Sequence, residues 1–214
     1  MFIGHYAIGF LARRWEGRLP LWILLLAVQF VDVLWAVFVL LGIEHLRIVP
    51  GATGPQRMDL YYMPYTHSLL STLVWFGVAF VGYRFAVRAA DNRSAVVVAV
   101  AVASHWFLDL IVHLGDLPLY DDAHKQGLAL WSFPIPAFVL EVSLLGLGLV
   151  FYLRRKDAAP RLAWTVVFCL VMVLAHTALT FGPAITSPNV AAGGLLGVFV
   201  TFTACAYGLE RNRD

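Results

Sequence analysis

Charged residues are scarce in this chain: Asp, Glu, Lys and Arg make up 13% of its 214 residues, against about 25% in a typical soluble domain. The chain is 61% hydrophobic and its mean hydropathy is +0.79. This balance excludes a water-soluble globular protein and predicts an integral membrane protein. The net charge of +2 is too small to indicate a nucleic-acid partner, so we expect none.

Cysteine is scarce as well. Cys169 and Cys205 lie in apolar segments and lack C-x-x-C spacing, which excludes a cysteine-based zinc or redox motif. We interpret both as small, buried, hydrophobic side chains. No A-x-A-like site follows the first long apolar run, so we also expect no cleaved signal peptide.

Long apolar runs are the main feature of the sequence. Six are long enough to cross a bilayer as helices: Leu19–Leu41, His67–Val87, Ser94–Leu114, Phe133–Leu153, Leu162–Phe181 and Val190–Leu209. No linker divides them, so we predict one all-α domain over residues 1–214, a polytopic membrane helix bundle with a short N-terminal helix. The segment Met1–Ala12 is too short to span. It predicts either a helix tucked into the bundle or a helix lying in the membrane interface.

Basic residues lie on alternate connections between these runs. They are Arg13, Arg14 and Arg18, then Arg84, Arg88 and Arg93, then Arg154, Arg155, Lys156 and Arg161, and finally Arg211 and Arg213. By the positive-inside rule, both termini are predicted to be cytoplasmic. We expect the membrane to be the bacterial cytoplasmic (inner) membrane.

Ionisable residues inside the apolar runs are the main functional signal. His105, Asp109 and His113 are spaced four apart, which places them along one stripe of a helix. Each such side chain in hydrocarbon costs roughly a few kcal/mol or more, so three on one stripe need a shared purpose. Imidazole and carboxylate are ligands of zinc and related divalent metals. The stripe therefore predicts a metal site.

Ionisable residues of other spans fall at a similar depth. At 1.5 Å per residue from the predicted cytoplasmic ends, Asp32, Glu141 and His176 lie roughly 18 to 21 Å deep, and His105 and Asp109 roughly 17 to 23 Å. His67 lies higher, at roughly 25 to 30 Å, and fits this depth least well. We predict that Asp32, His67, His105 and Asp109 share one site. Glu141 could instead be a neutral, hydrogen-bonded acid, and His176 a satisfied core residue.

The residues beside His67 are expected to support the site. Thr66 could cap the helix or orient His67, and Ser68 is adjacent in sequence. Because adjacent residues of a helix point apart, we favour a supporting role for Ser68 over a nucleophilic one.

An ordered set of motifs resembles the YdjM-like family of membrane-bound metal-dependent hydrolases. The motifs are Gly4-His5, the carboxylate Asp32, Thr66-His67-Ser68, and Ser104-His105-x-x-x-Asp109. The resemblance implies metal ligands at His5, Asp32, His67, His105 and Asp109. It leaves His113, His176, Thr66 and Ser68 as candidates for supporting these ligands or holding a second metal. The ligand order is also similar, more faintly, to that of zinc-dependent phospholipase C enzymes, which points to phosphoester chemistry.

The leading hypothesis is a membrane-embedded, metal-dependent hydrolase of a lipid or lipid-linked (phospho)ester. Zinc is the expected ion, with manganese or another divalent metal as the option, and Asp32 or Glu141 would be the general base. The expected partners are the bilayer and a lipid or membrane-associated small-molecule substrate. The alternative is a proton or metal-ion transporter that uses the same His/Asp/Glu cluster. A transporter predicts polar residues at all depths, whereas the predicted cytoplasmic half of the spans is nearly all apolar. A non-catalytic scaffold would leave the stripe unexplained.

Overall fold

Long apolar helices make up most of the protein, and the computed structural model describes residues 1–88, 90–154 and 162–211. In chain order the helices are α1 (Tyr6–Trp15), α2 (Leu21–Leu40), α3 (Pro64–His67), α4 (Leu69–Ala86), α5 (Asn92–Val112), α6 (Pro134–Leu153), α7 (Leu162–Phe181) and α8 (Pro188–Arg211). Within this described part, six helices are long and apolar enough to cross a membrane, which supports an integral membrane protein. The prediction of a nearly all-α bundle with a short N-terminal helix is confirmed.

Helix α2 lies at the centre of the bundle and contacts α1, α5 and α8. Leu24, Leu25 and Val28 of α2 are fully buried. Cys169 is buried on α7, whereas Cys205 is exposed on the surface of α8. The interpretation of both cysteines as buried is therefore wrong for Cys205. An apolar helix surface that faces lipid can carry such a residue without burying it in protein.

The N-terminal segment is tucked into the bundle rather than laid along its surface. A 3₁₀ turn at Ile3–His5 leads into α1, and Tyr6 and Phe10 are fully buried. Helix α1 comes very close to α6: a Cβ atom on Gly148 would lie 2.7 Å from the Cα and 2.8 Å from the carbonyl oxygen of Ala7. This close approach holds the turn that carries His5 inside the protein.

The second span begins after His67, and its predicted start is wrong. His67 ends the one-turn helix α3, and the backbone is extended at Ser68, with φ −79° and ψ 153°. The Ser68 hydroxyl then accepts the N–H of Ser71 at 3.0 Å and caps α4. Because of this break, His67 can point in a direction that α4 does not dictate.

A β-hairpin lies between α2 and α3, where no strand was predicted. Strand β1 (His45–Ile48) pairs antiparallel with β2 (Met58–Tyr62). Leu46 and Leu60 are buried, and they pack in one cluster with Trp35. Alternating apolar and polar residues in H-L-R-I and M-D-L-Y-Y are the sequence signal for these strands. The hairpin covers one end of the bundle, called the hairpin end below.

Charged residues join two connections at the opposite end. Glu16 contacts Arg18 Nε at 2.8 Å and Arg93 Nε at 2.9 Å, and Arg18 also contacts Asp91 at 2.9 Å. The hydrogen bonds from Arg18 lower the pKa of Glu16, and those from Ser94 and Arg18 lower the pKa of Asp91 to about 2. The cytoplasmic placement of this end stays a prediction. Of its predicted basic residues, Arg155, Lys156, Arg161, Arg213 and the Arg211 side chain lie outside the described residues.

The contact between α1 and α6 can be tested with Gly148→Ala. We expect a loss of about 1–3 kcal/mol in stability, because the added methyl group overpacks against the Ala7 backbone. Gly146→Ala on the same helix is the matched control, since nothing lies within 4 Å of its Cβ position. Thermal unfolding of the two variants in detergent measures the difference. Equal midpoints would contradict the close packing of α1.

Candidate metal centre

Four histidine rings and two carboxylates meet inside the bundle, towards the hairpin end. His5 comes from the turn before α1, Asp32 from α2, His67 from α3, His105 and Asp109 from α5, and His113 from the residue that follows α5. Asp32 is 15% exposed, and the other five are at most 3% exposed. The structure thus brings together residues from the N-terminal turn, three helices and the residue after α5.

Asp109 is the point on which the four histidines converge. Its Oδ1 atom lies 3.1 Å from Nε2 of His5. Its Oδ2 atom lies 3.1 Å from Nε2 of His105, 3.6 Å from that of His113 and 3.7 Å from that of His67. The rings of His5 and His105 also stack, with centroids 3.8 Å apart. Every histidine of the cluster therefore presents Nε2 to one carboxylate.

Asp32 supplies the second carboxylate. Its Oδ1 atom lies 3.3 Å from Nε2 of His67 and 3.4 Å from Nε2 of His105, and its Oδ2 atom accepts a hydrogen bond from Gln29 at 2.5 Å. Two ligands held at 2.0–2.1 Å by a tetrahedral zinc ion lie about 3.3 Å apart. The spacing around Asp32 matches this separation.

Two overlapping triads have ligand atoms within 4.8 Å of one another. They are Asp32, His67 and His105, and His5, His105 and Asp109. Their atoms are imidazole nitrogens and carboxylate oxygens, which suit zinc and other borderline divalent metals. This buried His/Asp group could therefore hold a metal ion.

The hydrogen bonds of His105 fix which of its nitrogens is free. Nδ1 lies 2.9 Å from the carbonyl oxygen of Val28. A carbonyl oxygen only accepts, so Nδ1 carries the hydrogen and Nε2 of the neutral ring has a bare lone pair. That lone pair faces carboxylate oxygens of Asp32 and Asp109, and Nε2 has no hydrogen-bond partner. Like partial charges at these distances repel, and a positive charge between these atoms, either a metal ion or a proton on Nε2, removes the repulsion.

His113 shows the same arrangement. Its Nδ1 atom lies 2.9 Å from Oδ1 of Asp116, which leaves Nε2 directed at Asp109. Burial would raise the pKa of Asp116, but the contact with His113 and the N–H of Leu114 outweigh it, and the pKa is lowered. Asp116 thus stays ionised and orients the ring, as second partners of metal-binding histidines do.

Sequence reasoning missed Glu44, which orients His67. Glu44 is fully buried beyond the end of α2 and accepts the N–H of Tyr65 at 2.8 Å, the N–H of Thr66 at 2.9 Å and the Thr66 hydroxyl at 2.6 Å. The hydroxyl hydrogen is used on Glu44, so Thr66 Oγ1 accepts from Nδ1 of His67 at 2.7 Å. His67 therefore also presents a bare Nε2. Burial raises the pKa of Glu44.

The sequence near His67 does not indicate a role for Glu44, because Glu44 lies 22 residues before Thr66 and the whole hairpin lies between them. The available signal was that Glu44 is a single acidic residue between the apolar run of α2 and strand β1. Thr66 itself lies where the sequence suggested, as an orienting residue beside His67. Ser68 instead caps α4, and its side chain lines a separate groove near Tyr65.

Glu141 lies outside this cluster and holds the N-terminal turn. Its Oε2 atom accepts the N–H of Phe2 at 2.7 Å and the N–H of Gly4 at 3.2 Å. The side chain is 1% exposed and lines a cavity that also borders Asp32 and His67. Glu141 thus fixes the turn that carries His5 and reaches the space beside the candidate metal ligands.

The cavity has a volume of about 60 Å³, enough for a few water molecules. Asp32, His67 and His113 line it, and so do His176 and Thr180 of α7. His176 stacks on Phe138 with centroids 4.9 Å apart. It is not gathered with the other histidines, and both of its ring nitrogens lack a hydrogen-bond partner in the described structure.

Comparison with known proteins adds no identity to this geometry. No family model, curated protein or solved structure matches the chain. Any statement of function therefore depends on the residues themselves and on the resemblance of their motifs.

Glu44→Gln tests the orientation of His67. We expect zinc to bind about 10- to 100-fold more weakly, since loss of a partner behind a metal-binding histidine has effects of this size. Competition with a chromophoric chelator measures the affinity. The control is Asp59→Asn, which breaks the exposed ion pair with Arg47 at the same end of the bundle and should change little. Equal affinities for the two variants would contradict the role of Glu44.

Proposed function

We propose that this protein is a membrane-embedded, metal-dependent hydrolase of a lipid or lipid-linked ester or phosphoester. One observation carries the proposal: the Nδ1 atom of His105 is engaged by the carbonyl oxygen of Val28, and its buried Nε2 faces the carboxylates of Asp32 and Asp109. A divalent cation between them would remove the repulsion. The motif order that resembles the YdjM-like family supports the same reading.

The cavity favours one of the two triads as the ion's position. An imidazole nitrogen has a single lone pair, so His105 can serve one ion at a time. Asp32 and His67 border the cavity, whereas His5 and Asp109 are not among the residues that line it. A hydrolytic metal needs an open coordination position. We therefore assign the ion to Asp32, His67 and His105, with His5, Asp109 and His113 supporting them.

The ligand atoms of the site indicate which ion it would bind. Nitrogen and oxygen ligands without sulfur suit zinc best, and manganese or another divalent metal is the alternative. Such an ion supplies Lewis-acid activation of water and of the scissile bond.

Of the two predicted bases, Glu141 is the better placed to take a proton. Asp32 uses one oxygen on two histidines and the other on Gln29. Both hydrogen bonds of Glu141 go to Oε2, which leaves Oε1 for a proton from water in the cavity.

The walls of the cavity suggest the substrate class. Leu179, Leu195 and Phe199 give it an apolar side next to the polar groups. A site of this kind among membrane-spanning helices suits a molecule with both an ester group and hydrocarbon, such as a lipid. A bacterial cytoplasmic membrane with both termini inside remains our proposed setting.

Metal analysis of the purified protein tests the proposal directly. We expect about one zinc or manganese ion per chain, and His105→Ala should lose it because it removes a central ligand. His124→Ala is the control, since His124 is an exposed histidine in the loop after α5. A wild-type protein without bound metal, or a His105→Ala variant with the wild-type content, would refute the metal site.

Glu141→Gln tests the catalytic proposal. The amide oxygen of the glutamine can still accept the N–H groups of Phe2 and Gly4 but cannot take a proton. We therefore expect the activity to fall by a factor of about 100 or more, with normal metal content. Mass spectrometry of phospholipids and acyl-ester lipids after incubation with the reconstituted protein measures the products. Absence of any chelator-sensitive hydrolysis, together with proton or metal flux into liposomes, would favour the transporter instead.

A further inference from the structure

Three polar side chains that line the cavity have no hydrogen-bond partner among the described residues. In the described structure, the two ring nitrogens of His176, Oγ1 of Thr180 and Nε1 of Trp35 form no hydrogen bond. All three residues line the cavity and are at most 4% exposed. Buried polar groups are nearly always paired, so a group of three on one cavity indicates a ligand that completes them.

These three side chains offer hydrogen-bond donors, so the ligand that suits them is a hydrogen-bond acceptor. The indole of Trp35 can only donate, the hydroxyl of Thr180 can donate, and a neutral His176 has one N–H in either tautomer. Ester oxygens, whether carbonyl or phosphoryl, only accept. No Lys or Arg is among the described residues that line the cavity, and Met1, which does line it, has its amino group paired with Asp109. Trp35, His176 and Thr180 therefore offer neutral hydrogen bonds.

The same residues lie close to the proposed metal ligands. The ring of Trp35 meets that of His67 edge-on, with centroids 6.5 Å apart. His176 and Thr180 are four residues apart on α7, which places them on one face, one turn from each other. A single ester group in the cavity can therefore reach these donors and also lie beside Asp32 and His67, which line the same cavity.

We propose that Trp35, His176 and Thr180 form a subsite that binds the acceptor oxygens of a lipid's ester group and holds that group beside Asp32 and His67. This inference rests on the proposed function, since it names how the same site recognises its substrate. The shared chemistry is a double-bonded ester oxygen, which either a phosphodiester headgroup or a carboxylic ester can supply.

Binding to the full-length protein in nanodiscs tests the subsite without turnover. The variants are Thr180→Val and His176→Phe, which remove the polar atoms and keep the side-chain shape. Thr177→Val is the matched control, because the Thr177 hydroxyl on the same helix donates to the Val173 carbonyl at 2.8 Å. The probes are ether-linked phosphatidylcholine, which has a phosphodiester and no carbonyl, and diacylglycerol, which has carbonyl esters and no phosphate. Native mass spectrometry gives the affinities and the metal content together.

We expect each subsite variant to bind one of the probes about five- to tenfold more weakly, as loss of one buried hydrogen bond predicts. The control should bind like the wild type, and the affected probe identifies the ester. The ligand-free variants should unfold at the wild-type temperature or higher, because they lose polar groups that have no partner.

Three results would overturn the subsite: wild-type affinity of both variants for both probes, no binding of either probe to the wild type, or strong destabilisation of the ligand-free variants. If metal is bound normally in those cases, the hydrolase proposal survives. Weakened probe binding in a protein that holds no metal would keep the subsite and remove the hydrolase.

Discussion

The structure depends on the electrostatic interaction between two buried carboxylates and the histidines around them. Asp109 and Asp32 lie among apolar helices, where an ion without a counter-charge is unstable. Their neighbours are imidazole nitrogens, and the hydrogen bonds of His105 and His113 leave bare lone pairs on the inward side. The amino group of Met1 pairs with Asp109, whereas the contacts of Asp32 in the described structure are with His67, His105 and Gln29. A cation held by Asp32, His67 and His105, as proposed above, would balance the second carboxylate and give these residues one reason to converge.

Rigid connections outside the cluster keep these nitrogens in place. Glu141 binds the backbone of the N-terminal turn and so positions His5. Glu44 binds the backbone and hydroxyl of Thr66 and so positions His67. In both cases a buried carboxylate grips main-chain N–H groups of a short, irregular segment. Hydrogen bonds to a charged acceptor are strong. They can therefore hold His5 and His67 in place although neither residue lies on a long helix.

Apolar length and helical spacing predicted most of the architecture. The six spans could be located because a bilayer demands long apolar helices, and the stripe at His105 and Asp109 was visible because both residues lie on one helix. Glu44 and the hairpin could not be found in this way. Their positions depend on contacts across the chain at the membrane surface, where water permits several backbone structures and hydropathy carries little information.

The depth of the cluster was predicted from residue counts, but the contacts inside it were not. Which nitrogen of His67 faces Asp32 depends on Thr66 and Glu44, and periodicity says nothing of hydrogen-bond direction. The unpartnered groups of His176 and Thr180 also required coordinates, since a polar residue on an apolar helix looks the same in sequence whether or not it is satisfied.

The break at Ser68 has a mechanical consequence. Helix α4 is the least buried of the six long helices in the described structure, so its surroundings are mostly lipid rather than protein. His67 belongs to a separate turn that is anchored to Glu44, beyond the end of α2, rather than to α4. The direction of the His67 ring is therefore fixed by that turn, before the residue that caps the long helix.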